Sequence, residues 1–261
     1  MIKKIAGVIL FSAITFVAIC QETSEPAAAA AQPEPAKITA ANPKTIRPDI
    51  PGILTFEFGF NRALSAPTEF KLAFLGSHTT NLYYQYEFRV LKSQFSIVPG
   101  IGFAFERFRF KNNDVIGYNL GSVNQVALLP PGNTAPYPNV RKSFLVTNYV
   151  DVPVEIRYTL KPEDPTRSVK IGVGGRIGYL LDSYGKVKYT ENSEVKKIKD
   201  KQDFNLNKIR YGLSAHISFG NFSFFGYYNL SPLFQAGKGL QTNNVSNDFS
   251  TATVGISLSS F

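Results

Sequence analysis

The residues best able to do acid–base chemistry are few: His78 and His216 are the two histidines, Cys20 is the one cysteine, and there is no tryptophan. Hydrolysis or acyl transfer needs a nucleophile, a histidine base and an acid held together. His78 directly follows Ser77, and adjacent residues rarely present a productive pair, while His216 sits inside an alternating run and reads as a hydrogen-bonded interior residue. Two separated histidines without a second thiol give no zinc-ligand spacing. The glycines of GVGGRIG, from Gly172 to Gly178, suggest a dinucleotide turn, but the stretch lies in a strand pattern with no helix after it. No catalytic, cofactor-binding or metal-ligating residue is therefore expected, and no cofactor.

The sequence does, however, set charges of both signs within apolar runs. Glu57, Glu87, Asp151, Glu155 and Asp182, with Arg89, Arg157, Lys170, Arg176 and Arg210, all share the polar parity of their segments. Each segment alternates with a period of two, which directs successive side chains to opposite faces of a strand. In the first run Leu54, Phe56, Phe58 and Phe60 oppose Thr55, Glu57, Gly59 and Asn61. In the second, Leu82, Tyr84, Tyr86 and Phe88 oppose Asn81, Tyr83, Gln85, Glu87 and Arg89. The third loses its phase at Phe108 and Phe110, which predicts a bulge near Glu106. Further runs centre on Val150, Ile177, Leu213, Phe224 and Val254; the seventh, Phe222 to Leu230, is aromatic on both faces and leaves its orientation open.

Eight runs are counted, and the gaps between them alternate. Those at Leu91–Ser93, Lys161–Ser168 and Gly220–Asn221 are short; those at about 62–80, 111–143, 190–206 and 231–248 are long. Outer-membrane barrels have this asymmetry, with short periplasmic turns and longer external loops. Acids and bases on one face suit a closed interior in which buried charges are paired. The other face is almost free of charge, as a lipid-facing wall must be. The fold expected is all-β: an eight-stranded antiparallel up-and-down transmembrane barrel, its lumen filled by side chains because eight strands leave little more room.

Residues 1–20 carry Lys3 and Lys4 and then an uncharged apolar stretch, the form of an export signal. The rival reading makes Cys20 a lipidated mature N-terminus, although Ile19 is a poor residue to precede it. Residues 21–52 are rich in Ala and Pro without an aromatic, as in a flexible periplasmic tether, and 53–261 form the barrel. The net charge of +9 comes with an export signal and mixed signs, which argues against nucleic acid as a partner.

Three stretches, NLYYQYEFRVLKSQFSIVPGIGFAFERFRF, TNYVDVPVEIRY and FFGYYNLSPLF, resemble the PorT-type family of outer-membrane β-barrel proteins, and with strand spacing and the terminal Phe261 the likeness spans about 53–261. The resemblance implies a non-enzymatic barrel in the bacterial outer membrane, inserted by the barrel-assembly machinery. It further implies a scaffold or assembly role in a type IX-like export system, with export-system subunits as partners. It brings no catalytic residues. The other reading is an adhesion or ligand-binding barrel that uses its long external loops. Among loop cations, Lys71, Arg141, Lys142, Lys196 and Lys197 are the candidates to meet lipopolysaccharide phosphates at the external rim.

Overall fold

A computed structural model of the chain describes residues 52–91, 93–118, 125–132, 135–161, 163, 168–240 and 248–260. The expected export signal (1–20), the expected tether up to residue 51 and the terminal Phe261 lie outside the described residues.

Among the described residues twelve strands follow one another: β1 (Ile53–Leu64), β2 (His78–Gln85), β3 (Phe88–Arg89), β4 (Phe95–Arg109), β5 (Val115–Tyr118), β6 (Val126–Leu129), β7 (Val140–Thr159), β8 (Val169–Glu191), β9 (Glu194–Asp200), β10 (Ile209–Phe219), β11 (Phe222–Asn229) and β12 (Ser250–Ser259). Eight of them pair in the circular order β1, β2, β4, β7, β8, β10, β11, β12, and β12 returns to β1. All of these pairings are antiparallel. The closing register, Thr55 opposite Ser259 to Leu64 opposite Ser250, is unbroken. Closure leaves no sheet edge, which is what a strand structure needs where no water can satisfy the backbone.

The alternation decides which face meets what. Leu54, Phe103, Val152, Ile177, Leu213, Phe224 and Val254 stand exposed on the outer wall. Thr55, Asn81, Ser214, Thr253 and Ser257 are buried within. A barrel polar inside and apolar outside is the reverse of a water-soluble one, and it matches an acyl-chain surround. β11 takes one definite orientation: Phe225 and Tyr227 point inward while Phe224 and Tyr228 point out. Phe225 stacks near His216 at 5.9 Å, so the aromatics on both faces have separate uses.

The structure corrects the expected bulge near Glu106. β4 keeps one register with β7 from Phe95 opposite Tyr158 to Arg109 opposite Phe144. Phe108 and Phe110 stay on the inward parity, fully buried, because the external end of the lumen is apolar. They join Phe70, Leu145, Phe204, Leu206, Phe234 and Phe249 in one cluster drawn from strands and external loops. The bulge that does occur lies in β8, where Asn148 faces Asp182 and Tyr149 faces Leu180, so that Leu181 is the extra residue.

The long gaps also hold more order than loops. β8 and β9 form a hairpin past the ring, Gly185 opposite Asp200 to Glu191 opposite Glu194, turning at Asn192 and Ser193, both with positive φ. β5 and β6 pair as a separate ribbon inside the second gap. At the other end, Gly220 and Asn221 alone join Phe219 to its partner Phe222, with Gly220 at a φ of 60° as a two-residue hairpin requires.

Candidate functional site

The lumen is crossed by one connected series of charged side chains. At the short-turn end, Arg157 lies 3.2 Å from Glu87 and 2.9 Å from Glu155, and the Lys170 amine lies 3.7 Å from Glu87. His216 stands next, its Nδ1 2.7 Å from Glu155 and its Nε2 3.0 Å from Glu57. Glu57 accepts from Asn81 at 2.7 Å and faces Arg176 at 3.4 Å. Arg176 donates to the Tyr83 hydroxyl at 2.8 Å, and that hydroxyl donates to Asp151 at 2.9 Å. Arg210 then bridges Asp151 at 2.8 Å and Glu106 at 2.5 Å.

Tyrosine rings wall this series. The guanidinium of Arg210 sits 3.8 Å from the Tyr149 ring centre, and that of Arg176 sits 4.1 Å from the Tyr227 ring centre. Such contacts favour a cation over an aromatic face, most where water is excluded. Glycines make the room. A β-carbon on Gly178 would fall 2.1 Å from an Asp151 oxygen, and one on Gly172 would fall 2.1 Å from a Glu155 oxygen.

Of the ten charges expected inside, eight take part in these ion pairs: Glu57, Glu87, Asp151, Glu155, Arg157, Lys170, Arg176 and Arg210. Two are corrected. Asp182 faces outward, because the bulge at Leu181 reverses the parity of β8 there, and it meets Lys201 at 3.7 Å. Arg89 keeps the expected register opposite Ser96 but lies beyond the ring at the short-turn mouth, exposed to solvent. Glu106 and His216 take their places, so five acids still face five basic groups. The signal for Glu106 was present in its polar parity, and the supposed bulge concealed it.

The five external cations do not form one site. Lys71 lies in the first external connection, and Lys196 pairs with Glu191 at 2.6 Å. Arg141 falls at a register shift between Val140 and Lys142. Lys142 and Lys197 are brought together, both opposite Lys188 across adjoining strands.

Chemically, the lumen is a scaffold. Its carboxylates and cations are neutralised by one another, and the ring's outer face is apolar. These features define a small, closed transmembrane β-barrel with a filled lumen. The chain belongs to the outer membrane protein β-barrel domain family, whose model matches residues 49–235, and its place is the outer membrane. β12 closes the ring beyond the matched residues.

Among solved structures, the chain is similar to Ail, the attachment invasion locus protein of Yersinia pestis, at 14% identity over 80% of this chain and 97% of that one, with a TM-score of 0.33. It is similar to Neisserial surface protein A at 10% identity over 80% and 95%, with a TM-score of 0.32. A porin of Rhodopseudomonas blastica is similar at 8% identity over 80% and 99%, with a TM-score of 0.20. No curated protein sequence matches the chain.

Proposed function

We propose that this protein is a non-conducting, non-enzymatic barrel that works through its external surface, as an adhesion or ligand-binding protein. The observation that carries the reading is double closure of the lumen. Ion pairs fill the middle, and an apolar cluster around Phe108, Phe110 and Phe234 covers the external end. A path for solutes would have to part both, and separating buried charges from their partners costs about 3–5 kcal/mol for a single pair. The ordered β8–β9 hairpin extends outside with Lys186, Lys188, Lys196, Lys197 and Lys199 among Glu191, Glu194 and Asp200, a surface suited to an acidic partner.

The finer placement among PorT-type barrels, with a scaffold role in export through residues 21–52, rests on the sequence resemblance of three stretches. The external-surface reading needs no such partner.

The test uses reconstituted protein in planar bilayers and intact cells displaying the chain. The expected results are no steady single-channel current, and retention of dextran sulfate but not neutral dextran. Retention should fall when residues 192–199 are replaced by a two-residue turn in a barrel that still assembles. A steady conductance would overturn the closed reading, and equal retention without the hairpin would overturn the binding one.

A further inference from the structure

Outside the lumen, the outer wall changes character over one rung. Along β4, β7 and β8 the apolar stripe runs through Phe103, Val150 and Tyr179 to the rung of Phe105, Asn148 and Asp182. Above it come Arg107, Val146 and Tyr184, then Phe144, Lys186 and Lys199, then Lys142, Lys188 and Lys197, each set in register across the sheet. All lie on the outward parity, and Val187, Tyr189 and Ile198 hold the opposite face against the β5–β6 ribbon side.

Strands about 4.8 Å apart and rungs about 6.8 Å apart place the backbone positions of these five lysines in a footprint of roughly 10 by 7 Å. Like charges directly opposite one another destabilise a sheet. Among the described residues, Arg107, Lys142, Lys186, Lys188, Lys197 and Lys199 have no ion pair, and the acid at the lower edge of this face, Asp182, is engaged by Lys201. Two of these cations are steadied by rings: Arg107 lies 5.1 Å from the Phe144 ring centre and Lys199 lies 5.0 Å from that of Tyr184. Partial burial, then the nearby Arg107, Lys199 and Lys197, hold the Lys186 amine below its ordinary value. Beside the patch, a cleft of about 430 Å³ is lined by Tyr179, Leu181, Asp182, Lys201, Asp203 and Lys208.

We propose that this face binds the phosphorylated headgroup of an outer-leaflet glycolipid, with Lys142, Lys188 and Lys197 as its central row and the lipid's acyl chains lying along the apolar stripe below. Continuity with the lipid-facing wall selects an amphiphile over a soluble anion. A free anion would gain from the cations alone, while a glycolipid gains from both surfaces. An anion here would also relieve repulsion that the sheet otherwise carries. The site shares Lys186, Lys188, Lys197 and Lys199 with the β8–β9 hairpin surface, and differs from it in reaching Lys142 on β7 and the apolar stripe below.

Native mass spectrometry of the full chain in mild detergent tests it, with lipopolysaccharide and the same material after phosphatase treatment as probes. Wild type should retain the phosphorylated form at least tenfold better. Lys188→Gln with Lys197→Gln should lose about tenfold or more, at about 1 kcal/mol for each cation near a lipid surface. Lys238→Gln, exposed in the fourth external connection, should bind as wild type. A heat-modifiable gel shift verifies that each variant is a folded barrel. Equal retention of the two lipid forms, wild-type binding by the double variant, or displacement by inorganic pyrophosphate at matching concentration would overturn the proposal. The glycan assay on intact cells reads the external hairpin, so either reading can fail alone.

Discussion

Arg210 and Asp151 meet at 2.8 Å in the middle of the lumen, on strands that are not neighbours in the ring. Asp151 is wholly buried, Arg210 reaches past it to Glu106, and the Tyr149 ring lies beneath the guanidinium. The pair ties β10 to β7 and β4 through the interior, in addition to the wall's own hydrogen bonds.

Arg210→Met should therefore leave two buried carboxylates without a counter-charge, at a cost of about 3–5 kcal/mol. Arg157→Gln, at the more solvated short-turn mouth, should cost less. Denaturant unfolding of the lipid-reconstituted barrel compares them, and equal losses would mean that the interior pair is no better shielded than the mouth.

Gly178→Ala places a β-carbon 2.1 Å from Asp151 and 2.9 Å from Arg210, whereas a β-carbon at Gly226 meets nothing within 4 Å. The first change should cost about 1–3 kcal/mol from overpacking. Gly226→Ala should be nearly neutral in the same unfolding measurement.

Phe108→Ala removes a fully buried ring from the external cluster. The expected loss is about 3–5 kcal/mol. It should be felt first in the loops that share the cluster, so limited proteolysis should cut near Leu206 and Phe234 sooner while the transmembrane strands stay protected.

Much of the barrel was legible because lipid and lumen impose opposite chemistry on successive residues. Glu57, Asp151, Arg176 and Arg210 could be placed inside from parity alone. Parity failed where the backbone or the medium changed. Asp182 was misplaced by a bulge at Leu181, which has no marker in the sequence. Phe108 and Phe110 were read as a phase break because an apolar lumen was not expected. The signal was in the external connections, where Phe70, Leu206, Leu233 and Phe234 are too apolar for solvated loops and needed one another. The basic rows of β7, β8 and β9 were hidden for a different reason. Lys142, Lys188 and Lys197 are distant in sequence, and only the strand register sets them side by side.

Ile177 stands on the outer wall midway along the ring portion of β8, opposite Val152 and Tyr211. Ile177→Arg should cost about 2–4 kcal/mol in a bilayer. A refolding titration in lipid reads that loss, and it should shrink for a substitution at Val195 on the external hairpin.

The central claim is that the uncharged parity meets acyl chains and the charged parity does not. Because the chain contains no tryptophan, one introduced residue reports without background. The direct measurement is fluorescence quenching by lipids brominated in mid-chain, for the barrel carrying Val152→Trp on the outer wall or Tyr149→Trp in the lumen. Strong quenching at position 152 and little at 149 is the predicted result; quenching at 149 with none at 152 would contradict the account.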